Sequence, residues 1–122
     1  MSHMNEEYNG YDKEIITTSM VIITQSGDAR LEIKNAVSAM AAFDFSKAAE
    51  CLKAAKEKLD KAHQCQTAIV QNDCADHIKT IPLLFTHAQD TLMTVVSEYN
   101  LASQMLNVFE SLDHRISALE KK

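Results

Sequence analysis

The sequence predicts an all-α fold, an antiparallel three-helix bundle running up, down and up. Glycine occurs twice and proline once in 122 residues, too little punctuation for the many tight turns of a sandwich or barrel. Apolar residues recur every third or fourth position through three long segments, the period of a helix that buries one side. A hydrophobic content of 46% suits one core, and a chain of this length has room for a single domain. That domain is expected over residues 13–122, so a cleft must lie on its surface or against another subunit.

The opening residues 1–12 are expected to stay outside the fold. Ser2-His3-Met4 reads as a cloning remnant, with Met4 as the native start, and the acidic stretch from Asn5 to Asp12 is expected to be disordered. Helix one is predicted from Lys13 to Ala42, with Ile16, Ser19, Ile23, Ser26, Arg30, Ile33, Val37 and Met40 as its seam. Gly27 falls mid-helix, where it costs about 1 kcal/mol relative to Ala, and a close helix approach would account for it.

Asp44 is the expected N-cap of helix two, predicted from Phe45 to Asn72. Its seam is Phe45, Ala48, Leu52, Ala55, Leu59, Ala62, Gln66 and Ile69, while Lys53, Lys56, Glu57 and Lys61 form a solvated face. The short Phe43-Asp44 link keeps helices one and two adjacent and antiparallel.

Helix three is predicted to begin near Pro82, a residue suited to a first turn. It carries two apolar stripes: Phe85, Ala88, Leu92, Val95, Tyr99, Ala102, Leu106, Phe109 and Ile116 on one, and Leu84, His87, Thr91, Thr94, Leu101, Met105, Val108 and Leu112 on the other. One chain can bury only one of them, so the second predicts an oligomer. Asp90 lies on that second side with Leu83, Ser97 and Gln104, and cyclic symmetry would gather its copies around an axis. The turns after Leu112 have few apolar neighbours and are expected to fray or to extend the bundle weakly.

Composition narrows the function. A net charge of −5 without a Lys/Arg cluster interleaved with aromatics disfavours nucleic acid and an anionic membrane surface. No apolar run approaches the roughly 20 residues of a span, and no charged-then-apolar leader opens the chain, so the expected location is the cytoplasm without direct membrane insertion. Cys51, Cys65 and Cys74 have neither the parity nor the spacing of a disulfide framework or zinc site and are expected to be reduced thiols. Nucleotide-binding glycine loops and the Glu-x-x-His pair of dinuclear metal bundles do not occur.

Thr86-His87-Ala88-Gln89-Asp90-Thr91-Leu92-Met93 is the segment that carries chemistry. It sets an imidazole, an amide and a carboxylate into an apolar helix, where polar groups need partners or work. His87 and Asp90 share a helix face, with Gln89 to one side. This segment resembles the phosphorylation signature of the lactose/cellobiose-type IIA proteins of the bacterial sugar phosphotransferase system. Two further elements occur in the family's order: Ser26-Gly27-Asp28-Ala29-Arg30 is similar to its Gly-x-Ala-Arg element, and Ala62-His63-Gln64-Cys65-Gln66-Thr67 to its Ala-His-x-x-Gln-Thr element. The resemblance spans about Ile15 to Phe109. It departs at Phe43-Asp44-Phe45, where the family commonly has Gly-Asp-Phe, and at Thr91, where it usually has His.

The resemblance implies a homotrimer of three-helix subunits in which His87 accepts a phosphoryl group from the histidine-containing phosphocarrier protein. The group would then pass to a cysteine of the IIB component and on to an incoming β-linked disaccharide of the lactose, cellobiose or chitobiose class. Asp90 matches the family's metal-binding aspartate near the trimer axis, and Gln89 a neighbour of the phosphorylated ring. His63, Gln66 and Arg30 fall in supporting elements. By their own chemistry Arg30 reads first as a structural ion-pair residue, ahead of a place near the phosphate, and His63 first as a hydrogen-bonded structural one that supports the site.

The chemistry of the residues agrees with this reading. A neutral imidazole is a nucleophile at physiological pH. An unpaired carboxylate at i+3 would favour the protonated ring and repel the roughly −2 charge of a phosphoryl group. A divalent cation shared by three Asp90 carboxylates, Mg²⁺ by the hardness of its oxygen ligands, would relieve both effects. The rival expectation is a non-catalytic helical oligomerisation module.

Overall fold

The computed structural model describes residues 13–76 and 82–122, with side chains up to residue 71 and from 82 onward. The expected disorder of residues 1–12 and the state of Cys74 lie outside the described residues. The described residues form three helices: α1 (Lys13–Ala41), α2 (Phe45–Asp76) and α3 (Leu83–Glu120). They make the three-helix up-down-up bundle that the periodicity predicts.

The α1–α2 connection is a Schellman turn. The Asp44 N–H donates to the Ala39 carbonyl at 2.9 Å and the Phe43 N–H to the Met40 carbonyl at 3.0 Å. This geometry puts Phe43 in the left-handed region at φ 60°, the conformation that favours the glycine commonly found here in the resembled family. Asp44 then starts α2, its Oδ1 accepting from the Lys47 N–H at 3.1 Å, which satisfies one of the four free donors of the helix N-terminus.

The α2 seam is the predicted one. Ala48, Leu52, Ala55, Leu59, Ala62 and Ile69 are buried, with Phe45 and Gln66 half-buried at its margins. The α1 seam differs by one residue at alternate positions. Ile15, Ile22, Ala29 and Ala36 are buried in place of the expected Ile16, Ile23, Arg30 and Val37, whereas Ser19, Ser26, Ile33 and Met40 hold. α1 packs against both other helices, and Ala29 and Ala36 let the backbones approach where Arg30 and Val37 would hold them apart.

Gly27 does not mark a close approach within the chain. It is exposed, and a Cβ placed on it would meet nothing within 4 Å. Two ion pairs set the register of the bundle: Lys58 to Glu32 at 3.4 Å and Arg30 to Glu98 at 2.8 Å.

On α3 the first stripe builds the core. Phe85, Ala88, Leu92, Val95, Ala102 and Leu106 are buried, while the second stripe is exposed or half-buried along its length. The fraying expected after Leu112 does not occur. The helix continues to Glu120, and the Lys121 N–H still donates to the Ser117 carbonyl at 3.2 Å. Arg115, Ala118, Leu119 and Glu120 are good helix formers, and each further residue adds a backbone bond without a new nucleation step.

Candidate functional site

α3 displays the signature segment on two sides at once. Phe85, Ala88 and Leu92 anchor it in the core, so His87 and Asp90 project outward and are exposed, while Gln89 is half-buried on the flank. The two charged or titratable groups therefore escape the desolvation penalty that burial in an apolar helix would bring. In a single chain they lie on the outer surface, because the helix commits a different face to its own core. His87 stands in the second turn of α3, past the N-terminal N–H groups, where the helix dipole acts on it only weakly.

Two threonines complete the local structure. Thr91 Oγ1 donates to the His87 carbonyl at 2.8 Å, and Thr94 Oγ1 to the Asp90 carbonyl at 2.7 Å. Both are bonds one helical turn back, which fix the hydroxyls on the backbone of the site residues. The hydroxyl at Thr91, the position of the family's second histidine, is thus engaged by the backbone of His87 itself. Among the described residues nothing pairs with the Asp90 carboxylate. Nor does any group of three His, Cys, Asp or Glu side chains among the described residues lie close enough to hold a metal ion.

The supporting residues divide into two sets. His63 and Gln66 stand on the second half of α2, which runs antiparallel to α3. His63 is exposed, and Gln66 is half-buried with its Oε1 enclosed and without a hydrogen-bond partner. Arg30 is elsewhere. Its Nε donates to both Glu98 carboxylate oxygens, at 2.8 and 3.1 Å, and the hydrogen bond to Glu98 raises its pKa above the ordinary guanidinium value. Glu98 is eleven residues beyond His87, about 16 Å along the helix at 1.5 Å per residue. Within one chain, Arg30 ties α1 to α3 and does not face His87.

Sequence reasoning missed Glu98 as the partner of Arg30, because the pair joins residues 68 apart in the chain. It also missed the threonine back-bonds, although the i+4 spacing of Thr91 from His87 and Thr94 from Asp90 carries that signal.

The bundle thus presents His87 outward beside an acidic residue on the face of α3 that the core does not use. The family follows from comparison. The chain belongs to the lactose/cellobiose-specific IIA subunits of the phosphotransferase system, whose family model matches residues 17–110. The lichenan-specific phosphotransferase enzyme IIA component of Bacillus subtilis strain 168 is 31% identical over 97 residues, covering 80% of this chain and 88% of that protein.

Among solved structures, the crystal structure of PtcA from S. mutans aligns with a TM-score of 0.78 and 32% identity, over 81% of this chain and 97% of that one. The IIA(Chitobiose) component in its solution complex with HPr, from the N,N'-diacetylchitobiose branch of the Escherichia coli system, aligns with a TM-score of 0.73 and 26% identity. That match covers 84% of this chain and 99% of the other. This chain is thus a phosphotransferase-system component. No helix among the described residues is long and apolar enough to cross a membrane.

Proposed function

We propose that this chain is a phosphoryl carrier that accepts phosphate on His87 from the histidine-containing phosphocarrier protein and passes it to a cysteine of the IIB component, serving uptake of a β-linked disaccharide. The observation that carries the reading is the exposure of His87 on the outer face of α3, inside the family-matched segment and beside Asp90. An exposed ring is reachable by two successive protein partners, as a carrier requires. The likeness to a IIA component seen in complex with HPr supports the first of them.

In the transfer, a neutral ring nitrogen of His87 attacks the phosphorus of the donor's phosphohistidine. The new N–P bond forms as the old one breaks, and the donor ring recovers its electron pair. Transfer onward repeats the exchange with a cysteine thiolate as acceptor. Gln89, on the flank of the same turn, is placed to orient the ring or its phosphoryl oxygens, and Gln66 and His63 are its supporting residues on α2.

The same reading holds the active assembly to be a homotrimer, with the Asp90 flank of α3 turned toward a three-fold axis and His87, about 60° around the helix from it, left at the rim where partners reach it. Asp90 fits a metal role there, because its carboxylate is a hard oxygen donor with no partner among the described residues. Three copies would suit a hard divalent cation, Mg²⁺. When bound, that ion supplies charge neutralisation between the three carboxylates.

The test is phosphorylation with phosphoenolpyruvate, enzyme I and the phosphocarrier protein. The chain should gain one acid-labile phosphate, lost in His87→Ala and kept in His63→Ala and His114→Ala. No labelling of the wild-type chain would leave the non-catalytic oligomerisation module as the better reading, and full labelling of His87→Ala would remove the assignment. Chelator should lower the melting temperature of the wild type and leave Asp90→Asn unaffected. An unchanged wild-type curve would remove the metal.

A further inference from the structure

Two hydroxyls beside the signature residues have their protons committed to the backbone. Thr91 Oγ1 donates to the His87 carbonyl at 2.8 Å, and Thr94 Oγ1 to the Asp90 carbonyl at 2.7 Å. A hydroxyl carries one proton and two lone pairs. With the proton given away, each threonine oxygen can act toward its neighbouring side chain only as an acceptor. Beside Asp90 it offers a carboxylate nothing, in keeping with the lack of a partner for that group among the described residues. Beside His87 it offers a lone pair to an imidazole N–H.

Position selects which nitrogen can use it. Residues four apart on a helix stand side by side, with Cβ atoms about 5–6 Å apart, and Thr91 is half-buried one turn beyond His87. Its oxygen is held at the His87 carbonyl, close to the point where the imidazole leaves the backbone. Nδ1 is the ring nitrogen nearest that point, and Nε2 lies at the far tip. The His87 ring is exposed and makes no hydrogen bond to any described residue, so rotation about its own side-chain bonds brings Nδ1 to the hydroxyl. Nε2 then faces solvent, where a protein partner can reach it.

We propose that Thr91 is a positioning residue for phosphoryl transfer: its hydroxyl accepts from His87 Nδ1–H, holds the neutral ring in that tautomer and leaves the nucleophilic lone pair on Nε2. The inference rests on the carrier reading and names the reacting atom within it. In a neutral imidazole one nitrogen is protonated and the other is free, and the hydrogen bond made by the ring decides which. In the transfer, Nε2 bonds to the phosphorus as the donor's N–P bond breaks. The electron pair of that bond returns to the donor ring, and the Nδ1 proton of His87 stays in place. The His87 ring gains positive charge as the new bond forms, so its N–H donates more strongly to Thr91 in the transition state than before it. The resembled family usually has histidine at this position, so the device belongs to this chain.

The test reads the tautomer directly, by long-range proton–nitrogen NMR correlation of the full, isotope-labelled chain without phosphate, at roughly pH 8.5, above the ordinary imidazole pKa near 6.5. Comparison with His87→Ala assigns the ring signals. The wild type should carry its proton on Nδ1, and Thr91→Ser, which keeps the hydroxyl, should do the same. Thr91→Val has the same shape without the oxygen and should shift the ring toward the Nε2–H form that free histidine prefers. Thr94→Val makes the same change beside Asp90 and should leave the ring as in the wild type. Phosphate uptake from the phosphorylated phosphocarrier protein should slow about five- to tenfold in Thr91→Val, the loss of one hydrogen bond of ordinary strength, and should recover in Thr91→Ser. A wild-type ring protonated on Nε2, or a tautomer unmoved in Thr91→Val, would overturn the role of Thr91 and leave the carrier reading standing. A chain with the expected tautomers that takes up no phosphate would overturn the carrier reading and the positioning role with it.

Discussion

Ser19 and Ser26 are the two fully buried polar residues of the described core, one heptad apart on α1. Replacing each by alanine should move stability in opposite directions. Ser19 Oγ donates to the Ile15 carbonyl at 2.6 Å, and a satisfied buried hydroxyl contributes about 1 kcal/mol net. Ser26 Oγ is enclosed without any partner, and an unpaired buried hydroxyl costs about 1–3 kcal/mol. Alanine at either site gains about 0.5 kcal/mol in helix propensity and forfeits the dispersion contacts of one oxygen, a few at about 0.1–0.2 kcal/mol each.

The sum for Ser26→Ala is a stabilisation of about 1–2 kcal/mol, whereas Ser19→Ala should lose about 0.5–1 kcal/mol. For a domain of this size, each kcal/mol corresponds to about 4 °C in melting temperature. The comparison belongs at one protein concentration, because association of copies would otherwise shift the midpoint by mass action. Denaturant titration of both variants, read as a change in midpoint at constant slope, gives the answer. A Ser26→Ala chain no more stable than wild type would show that the hydroxyl has a bond in solution, and the reasoning from an enclosed orphan oxygen would fail.

Two further substitutions test the backbone. Gly27→Ala should stabilise the chain by about 1 kcal/mol, since a Cβ there meets nothing within 4 Å; a loss of stability or of assembly in the same melts would mean that another copy packs against Gly27. Phe43 holds φ 60° while its ring meets Phe45 edge-on at 6.0 Å. Phe43→Gly should therefore stay within about 1 kcal/mol of wild type, relief of strain offsetting the lost ring contact and the added freedom of the unfolded chain. Phe43→Val should be less stable by about 1–2 kcal/mol, because a β-branched residue suits that conformation least, and equal melting of the two variants would contradict the Schellman assignment.

The three helices were legible in the sequence because so few residues interrupt the 3.6 period, and the α2 seam was legible to the residue, although the helix runs to Asp76, past the expected end at Asn72. Its Ala and Leu positions alternate with lysines, so only one face can turn inward. α1 lacks that contrast. Ile15 and Ile16, and again Ile22 and Ile23, are equally apolar neighbours, and periodicity cannot choose between seams one residue apart. The choice falls to close packing, in which Ala29 and Ala36 fit between neighbouring helices and Arg30 does not.

The site shows the same division between what local pattern carries and what only packing decides. His87, Gln89 and Asp90 were identifiable from their order in one short segment, a property of the sequence itself. Their surroundings were not, since exposure depends on which of two apolar faces of α3 the bundle takes. The structure commits Phe85, Ala88 and Leu92 inward and leaves His87, Asp90, Leu101 and Val108 outward. Packing alone makes that choice: Ala88, Leu92 and Val95 are fully enclosed between α1 and α2, and the helical period then leaves the residues one and two positions away, His87 and Asp90 among them, on the face that the core does not use.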